Sequence, residues 1–513
     1  MMGVHAAESA EPAALAEPAA LAEPGALAEP GERADRATTG RPSGAGDVTS
    51  QAGELAAGER LPLSKILTFA APASGQGFMF NFFGVYMLAW ATEELGVAPT
   101  VMGLIFLLSR LWDAVSDPMA GYLSDRTNTR MGRRRPWLIV GAVPVGAVFY
   151  LMWNPPGSLA GGSLGLSLWM GATIIVFFTG MTIFSVPHDA LAAELSTRYE
   201  ERNRIFGVRN AVAGIGALGI FPMLWLIPDA ADPRGLVGGV TAVVAVLTAL
   251  FMLTTGVFIR ERPEYQGRGS DRPFRVWLEV FRNPHARLLM GVFFVQQIGV
   301  GTVTTTAFFY AKYILGDERL LPMMMGGLFV CTILSIPVWV ALGRHYDKKS
   351  LLTVAMLIVG LAFFALGFIR AGDVVAVVMV ASTAGIAIAG LDVLFPSLQA
   401  DVIDYDELQS GERKEGVYMA LWAFASKTSR GVAGLISGAL LGAVGFQAGV
   451  EQTETTQVGI RALMSGIPLI TYGAGIWLFR RFELSREKHA EIRQELDARL
   501  NAVDPVATEG AAD

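Results

Sequence analysis

The chain is short of the side chains that covalent catalysis and metal binding rely on. Its single cysteine, Cys331, excludes an intramolecular disulfide and a cysteine-based metal centre, and its five histidines are scattered without ligand spacing. No nucleophile elbow, zinc motif or phosphate loop occurs, which excludes the common hydrolases and an ATP-driven pump. No enzyme activity and no cofactor are expected. Charge is scarce too: only 17% of residues are Asp, Glu, Lys or Arg, against 52% hydrophobic, a balance foreign to soluble globular domains. The start of the chain has no basic stretch leading into an apolar core, so the first membrane span is expected to act as targeting signal. No basic surface suggests a nucleic-acid partner.

Long apolar runs are plentiful. After an Ala/Glu/Pro-rich tail over 1–60, too poor in apolar bulk to fold and expected to be disordered, twelve segments are long enough to cross a bilayer. They cover roughly 66–92, 100–123, 137–154, 164–187, 205–228 and 236–259, then 287–314, 320–343, 351–369, 374–398, 416–442 and 459–479. Such runs exclude a β-barrel, whose strands are shorter and alternate. A charged loop over 261–286 separates a six-span half (61–260) from a second (287–482), and a charged tail follows over 483–513. Lys and Arg concentrate in the loops after even-numbered spans, so the positive-inside rule places those loops and both termini in the cytoplasm, with the plasma membrane as the location. The halves echo each other. Gly121, Asp125 and Arg126 after the second span return as Gly343, Asp347 and Lys348 after the eighth, and Pro187 and Pro396 close the fourth and tenth spans. Internal repetition of this kind marks secondary transporters.

The run LSRLWDAVSDPMAG (108–121) puts Arg110, Asp113 and Asp117 on one face of the second span. Each mid-membrane charge costs about 2.5–3.5 kcal/mol to insert and needs a partner or a function. One arginine cannot neutralise two carboxylates, so the surplus negative charge invites a cation; a purely structural ion pair is the alternative. Asp125, Arg126 and the Arg133, Arg134, Arg135 cluster stand where helix ends meet the cytoplasm and can act as a charge latch, or simply as topology anchors. Asp347 is the latch counterpart in the second half. Lys427, with Arg430 three residues on, lies mid-span in the eleventh segment, and Asp392 is a buried acid in the tenth. Phe80, Phe82, Phe83, Tyr86 and Trp90 along the first span can stack a sugar ring or line an apolar path, or else pack against neighbours.

The sequence GYLSDRTNTRMGRRRPWLIVGAVP resembles the cytoplasmic loop motif of the major facilitator superfamily in its glycoside-pentoside-hexuronide:cation symporter form, the melibiose permease family. SRLWDAVSDP, TIFSVPHDALAAELS with ERNRIFGVRN, and QADVIDYDELQSGERKEGVYMALWAFASKTSRG resemble its other signatures, in order, between Ile66 and Arg481. The resemblance implies an all-α integral membrane fold of twelve transmembrane helices in two pseudo-symmetric six-helix bundles. It implies that Asp113 and Asp117 coordinate the coupling cation, Na⁺ or H⁺, with the Thr182 hydroxyl contributing. Lys427 matches a lysine that approaches the acidic pair from the opposite half, and Arg209 matches an arginine associated with substrate. The departures lie at Gly77 and Ser185, where the melibiose pattern has acids that hold sugar hydroxyls. Cation-coupled symport of a sugar or glycoside by a monomer is therefore expected, with a lysophospholipid or other amphiphile as alternative solute and a non-transporting membrane sensor as the alternative outside transport.

Overall fold

The computed structural model describes residues 60–159, 161–196, 198–261 and 280–503. Among these, every regular element is helical, as a bilayer demands of a chain whose backbone groups must be satisfied internally. The tail over 1–59, most of the central loop and residues 504–513 lie outside the described residues.

All twelve expected segments are helical. α1 comprises Leu63–Ala70 and Pro72–Ala89 with a π turn over Trp90–Glu94. α2 is Pro99–Arg126, α3 Arg135–Trp153, α4 Leu164–Glu194, α5 Tyr199–Leu218 with Ile220–Leu226, and α6 Pro233–Phe258. In the second half α7 is Pro284–Tyr310 with a π turn over Ala311–Leu315, α8 Leu320–His345, α9 Lys348–Leu366, α10 Val374–Ser410 and α11 Glu415–Ala443. α12 runs through Glu454–Arg461, Ala462–Gly466 and Ile467–Phe479, and α13 is Arg486–Val503 in the charged C-terminal tail. Among the described residues, nine helices are long and apolar enough to cross a membrane. Of the twelve expected spans, the three that fall short are α1, α2 and α11, and two of these carry the mid-span charges.

Local chemistry sets the ends. Ser163, Asp232, Asn283, Asp347 and Thr453 cap helix N-termini through their side chains, and Pro233 and Pro284 follow two of these caps directly. Gly411, at φ 71°, ends α10 in the left-handed region. Pro187 and Pro396 do not close their helices, contrary to expectation: α4 continues to Glu194 and α10 to Ser410. A proline removes only one donor, and packed neighbours keep the helix going.

The packing repeats between halves. α1 packs on α5 and α6, α3 on α4 and α6, and α2 on α4; α7 packs in the same way on α11 and α12, α9 on α10 and α12, and α8 on α10. The halves meet through α1 with α7, α2 with α11, and α5 with α8. The two-fold relation that exchanges the halves maps the last two pairs onto each other.

Candidate functional site

The mid-span charges converge at the meeting of α2, α4 and α11. Asp117, one turn after Asp113, accepts from the Thr182 hydroxyl of α4 at 2.8 Å and faces Lys427 Nζ of α11 at 2.5 Å. Lys427 Nζ is also 3.9 Å from Asp113 Oδ2, which Arg110 Nη1 meets at 3.1 Å. The Arg110 guanidinium lies 3.8 Å over the ring of Phe178 and 5.9 Å over Phe83, so aromatic faces hold the cation that the carboxylate only half satisfies. Asp113 is 1% exposed, and its Oδ1 has no hydrogen-bond partner among the described residues. Two acids are thus matched by two bases, which revises the surplus negative charge expected from α2 alone: Lys427, from the other half, supplies the missing positive charge. The oxygens of Asp113, Asp117 and Thr182 are the hard donors that Na⁺ or a proton takes, and any cation held by Asp117 would have to displace Lys427 from it.

A second charged pair lies farther along α4. Asp189 meets Arg209 of α5 at 2.5 Å, and Asp117 and Lys427 are the other charges within its electrostatic reach. Asp189 stands in the run TIFSVPHDALAAELS, where its only signal is the His-Asp step straight after Pro187, too weak to mark it as a site residue without its partner. Ser185 accepts a hydrogen bond from buried Gln76 at 2.9 Å.

Two of the residues expected to touch solute are taken up in helix packing. A side chain on Gly77 would run into the backbone carbonyl of Ala213 and lie 3.1 Å from the Ala217 nitrogen, so this glycine serves the close approach of α1 to α5. Tyr86 is 3% exposed, packed between Phe82 and Trp153 and edge-on to Phe308 of the other half. It belongs to an aromatic layer that closes one end of the bundle. Aromatic side chains pack its ring, and Glu93, Glu94 and Glu318 are the charges near its hydroxyl.

The latch residues form a dense network within the first half. Arg134 bridges Asp125 at 3.1 Å and Glu194 at 2.8 Å, and Arg133 reaches Glu194 at 2.5 Å and Asp125 at 3.7 Å. Glu261 accepts from the backbone nitrogens of Arg133, Arg134 and Arg135 at 3.0, 2.7 and 2.9 Å. Arg126 lies 4.1 Å over Tyr122. Asp347 is corrected: it caps α9 by accepting from the Ser350 nitrogen at 3.1 Å, and the matching ion pair is Lys348 with Asp401, at 2.7 Å. In both halves a base at the start of the third helix meets an acid in the C-terminal part of the fourth. Glu194, Glu261 and Asp401 carry no signal in the sequence, because their role depends on partners far along the chain.

At the opposite end of the bundle the halves are tied together. Glu93 of α1 accepts from Lys312 Nζ at 3.0 Å and the Tyr313 hydroxyl at 2.6 Å, both of α7, and Arg319 pairs with Asp229. Along α2 and α11 the backbones come close: a Cβ on Gly103 would lie 2.9 Å from the Gly434 carbonyl oxygen and 3.2 Å from the Cα of Gly438. These ties all lie on the side of Asp113 remote from the start of α1 and the end of α12.

The sequence profile of a family described as MFS/sugar transport protein matches residues 68–486. The chain is 26% identical to the uncharacterized symporter YjmB of Bacillus subtilis over 452 residues, covering 85% of this chain and 96% of that protein. It is 25% identical to the sodium-dependent lysophosphatidylcholine symporter 1 of Gallus gallus (85% and 90% covered) and 22% identical to the glucuronide carrier protein homolog of Escherichia coli (86% and 97%). Among solved structures, a mutant of the nucleoside transporter NupG superposes with a TM-score of 0.60 at 11% identity, over 81% of this chain and 100% of that one, which shows the shared fold.

Proposed function

The chain belongs to the MFS/sugar transport protein family, and from that premise we propose that it is a secondary active transporter coupling a cation, Na⁺ or H⁺, to symport of a sugar or glycoside by alternating access. One observation carries the coupling. The acidic pair Asp113 and Asp117 sits on one half while the base that neutralises it, Lys427, sits on the other. A cation that takes Lys427's place on Asp117 breaks a tie between halves, so its binding biases how they rock. Coupling of this kind is a reciprocal free energy between cation and solute. Twelve crossings, a cytoplasmic location of both termini and residence in the plasma membrane complete the proposal. The ties at the remote end then make this an inward-open arrangement with its outer side shut.

Uptake into vesicles, with Na⁺ and pH gradients imposed separately, tests it. Asp113→Asn and Asp117→Asn are expected to abolish gradient-driven accumulation of glycosides while the protein still inserts. Undiminished accumulation in both variants overturns the cation assignment, and accumulation by the wild type excludes a non-transporting sensor.

A lysophospholipid is the second reading of the cargo. An apolar groove lined by Phe221, Trp225, Leu226, Pro322 and Met323 opens where α5 meets α8, and a relative carries lysophosphatidylcholine in its name. Uptake of lysolipid without any glycoside uptake decides for it.

A further inference from the structure

Three acids in the middle of the bundle have bases, and a fourth does not. Asp113 meets Arg110, Asp117 meets Lys427, and Asp189 meets Arg209. Asp392 of α10 makes no hydrogen bond or ion pair with a described residue, and none of those bases, nor Arg430, is within its electrostatic reach. Among the described residues no charged side chain of α7, α8, α9 or α12 faces it either; its titratable neighbour is Tyr472 of α12. An ionised carboxylate within a span is costly when nothing offsets it.

The direction of Asp392 follows from its helix. It stands on a stripe of α10 that runs from Ala381, Gly385 and Ala389 to Pro396 and Ala400. The stripe is buried toward the start of α10 and exposed from Asp392 onward. The space between the halves opens in the same sense, whereas Val375, Met379 and Ile386 are exposed on another stripe, which faces lipid. The acid expected to be buried thus borders the space between the halves.

Two buried polar groups lie beside it without partners. The Tyr472 hydroxyl, on a residue 1% exposed, and Gln296 Oε1 of α7, on a residue 2% exposed, have no hydrogen-bond partner among the described residues. Phe293 of α7 packs on Phe395 of the antiparallel α10 with ring centroids 5.4 Å apart, so one turn further on Gln296 and Asp392 share a level. Val292 and Gly299 of α7 face α12, which leaves Gln296 in the wedge between α10 and α12 where Asp392 and Tyr472 enter. Tyr472 has an O–H to give, whereas Gln296 Oε1 can only accept. An ionised Asp392 accepts from Tyr472 and leaves Gln296 unsatisfied; a protonated one accepts from the first and donates to the second. One proton therefore removes the charge and pairs both groups.

We propose that Asp392 is a second cation site of this transporter, taking a proton and separate from the Asp113 and Asp117 pair. The inference rests on the transport reading above. The proton passes between the carboxyl and water in the space between the halves, and no other bond changes. Each cycle then carries one charge more than the acidic pair accounts for.

Infrared spectra of the full chain in proteoliposomes, recorded as pH differences, read the carboxyl directly. A carbonyl stretch of a protonated acid is expected at neutral pH in the wild type. Asp392→Asn should remove that band, and Tyr472→Phe and Gln296→Leu should shift it, because each deletes one of its hydrogen bonds. Reversal potentials with methyl glucoside as solute are expected to show one more charge per solute in the wild type than in Asp392→Asn, with melting temperatures of the two alike. If Asp392→Asn fails to insert, the band shift in Tyr472→Phe decides. An unchanged band in the variants, or the same charge per solute, overturns the inference. A band that Na⁺ abolishes assigns the site to sodium and overturns the proton. Loss of all uptake in an Asp392→Asn protein that melts like the wild type points to solute binding and also overturns it. If the wild type carries no glycoside while the band behaves as expected, the glycoside reading falls and the proton site stands.

Discussion

At the scale of single residues, the site depends on who neutralises whom. Lys427 is the partner that changes the arithmetic of α2, because it brings one positive charge from the other half to two acids that have only Arg110 nearby. Lys427→Ala is expected to lower solute accumulation about tenfold or more while cation binding persists or tightens, since the competing charge is gone; isotope uptake and cation titration of the same preparation check both arms. Thr182 gives the Asp117 carboxylate a single hydrogen bond from a neutral hydroxyl, so Thr182→Val should weaken cation affinity by about tenfold, the equivalent of about 1.4 kcal/mol. Gly77 makes a sharper case. An aspartate there meets the Ala213 carbonyl, so Gly77→Asp is expected to lower expression and thermal stability rather than create galactoside uptake. A galactoside transported by that variant would contradict the placement.

At the scale of elements, the two inter-half seams differ although the fold relates them. α2 and α11 approach through glycines, whereas α5 and α8 meet through larger side chains, with Phe221 edge-on to Phe329 beside an apolar groove. Close backbone approach needs small residues on both helices. Gly438→Leu is therefore expected to hold the remote ends of α2 and α11 apart and cut transport about tenfold, the equivalent of the 1–3 kcal/mol typical of overpacking. Labelling of a Phe308→Cys reporter in a Cys331→Ser background, applied from the extracellular side, should rise in parallel. Within the first half, the Arg133 and Arg134 cluster leans on Glu194, which is largely buried. Glu194→Gln leaves two buried cations short of an acid and should cost about 3 kcal/mol, read as a lower melting temperature.

At the scale of the whole molecule, the ties at the remote end set which conformation prevails. Glu93 with Lys312 and Tyr313 is a three-membered contact between halves, and it is compatible only with closure on that side. Glu93→Gln is expected to shift the equilibrium toward opening at that end by a factor of about five to thirty, or 1–2 kcal/mol. Spin-label distances across the α1 and α7 ends measure the shift; an unchanged distribution would show the contact to be incidental.

The elements were legible because a bilayer leaves a chain few choices. Twelve apolar runs became helices near their expected places, and the mid-span charges of α2 identified the centre of the candidate site from sequence alone. The repeat was legible through Gly121, Asp125 and Arg126, yet Asp347 shows its limit: the same residue type at the same register caps a helix in one half and pairs with arginine in the other. Sequence distance hides partners, so Glu194, Glu261, Asp189 and Glu93 became visible only in the packed bundle. By itself, then, the sequence determined that this chain spans a membrane as helices and which of its charges had to be explained, because hydrophobic length and the cost of buried charge are local properties. Only the tertiary structure decided that Lys427 neutralises the acidic pair, that Gly77 and Tyr86 serve packing, and that Asp392 is left without a base. Pairing across 310 positions is a matter of which helices touch, and no local pattern encodes it.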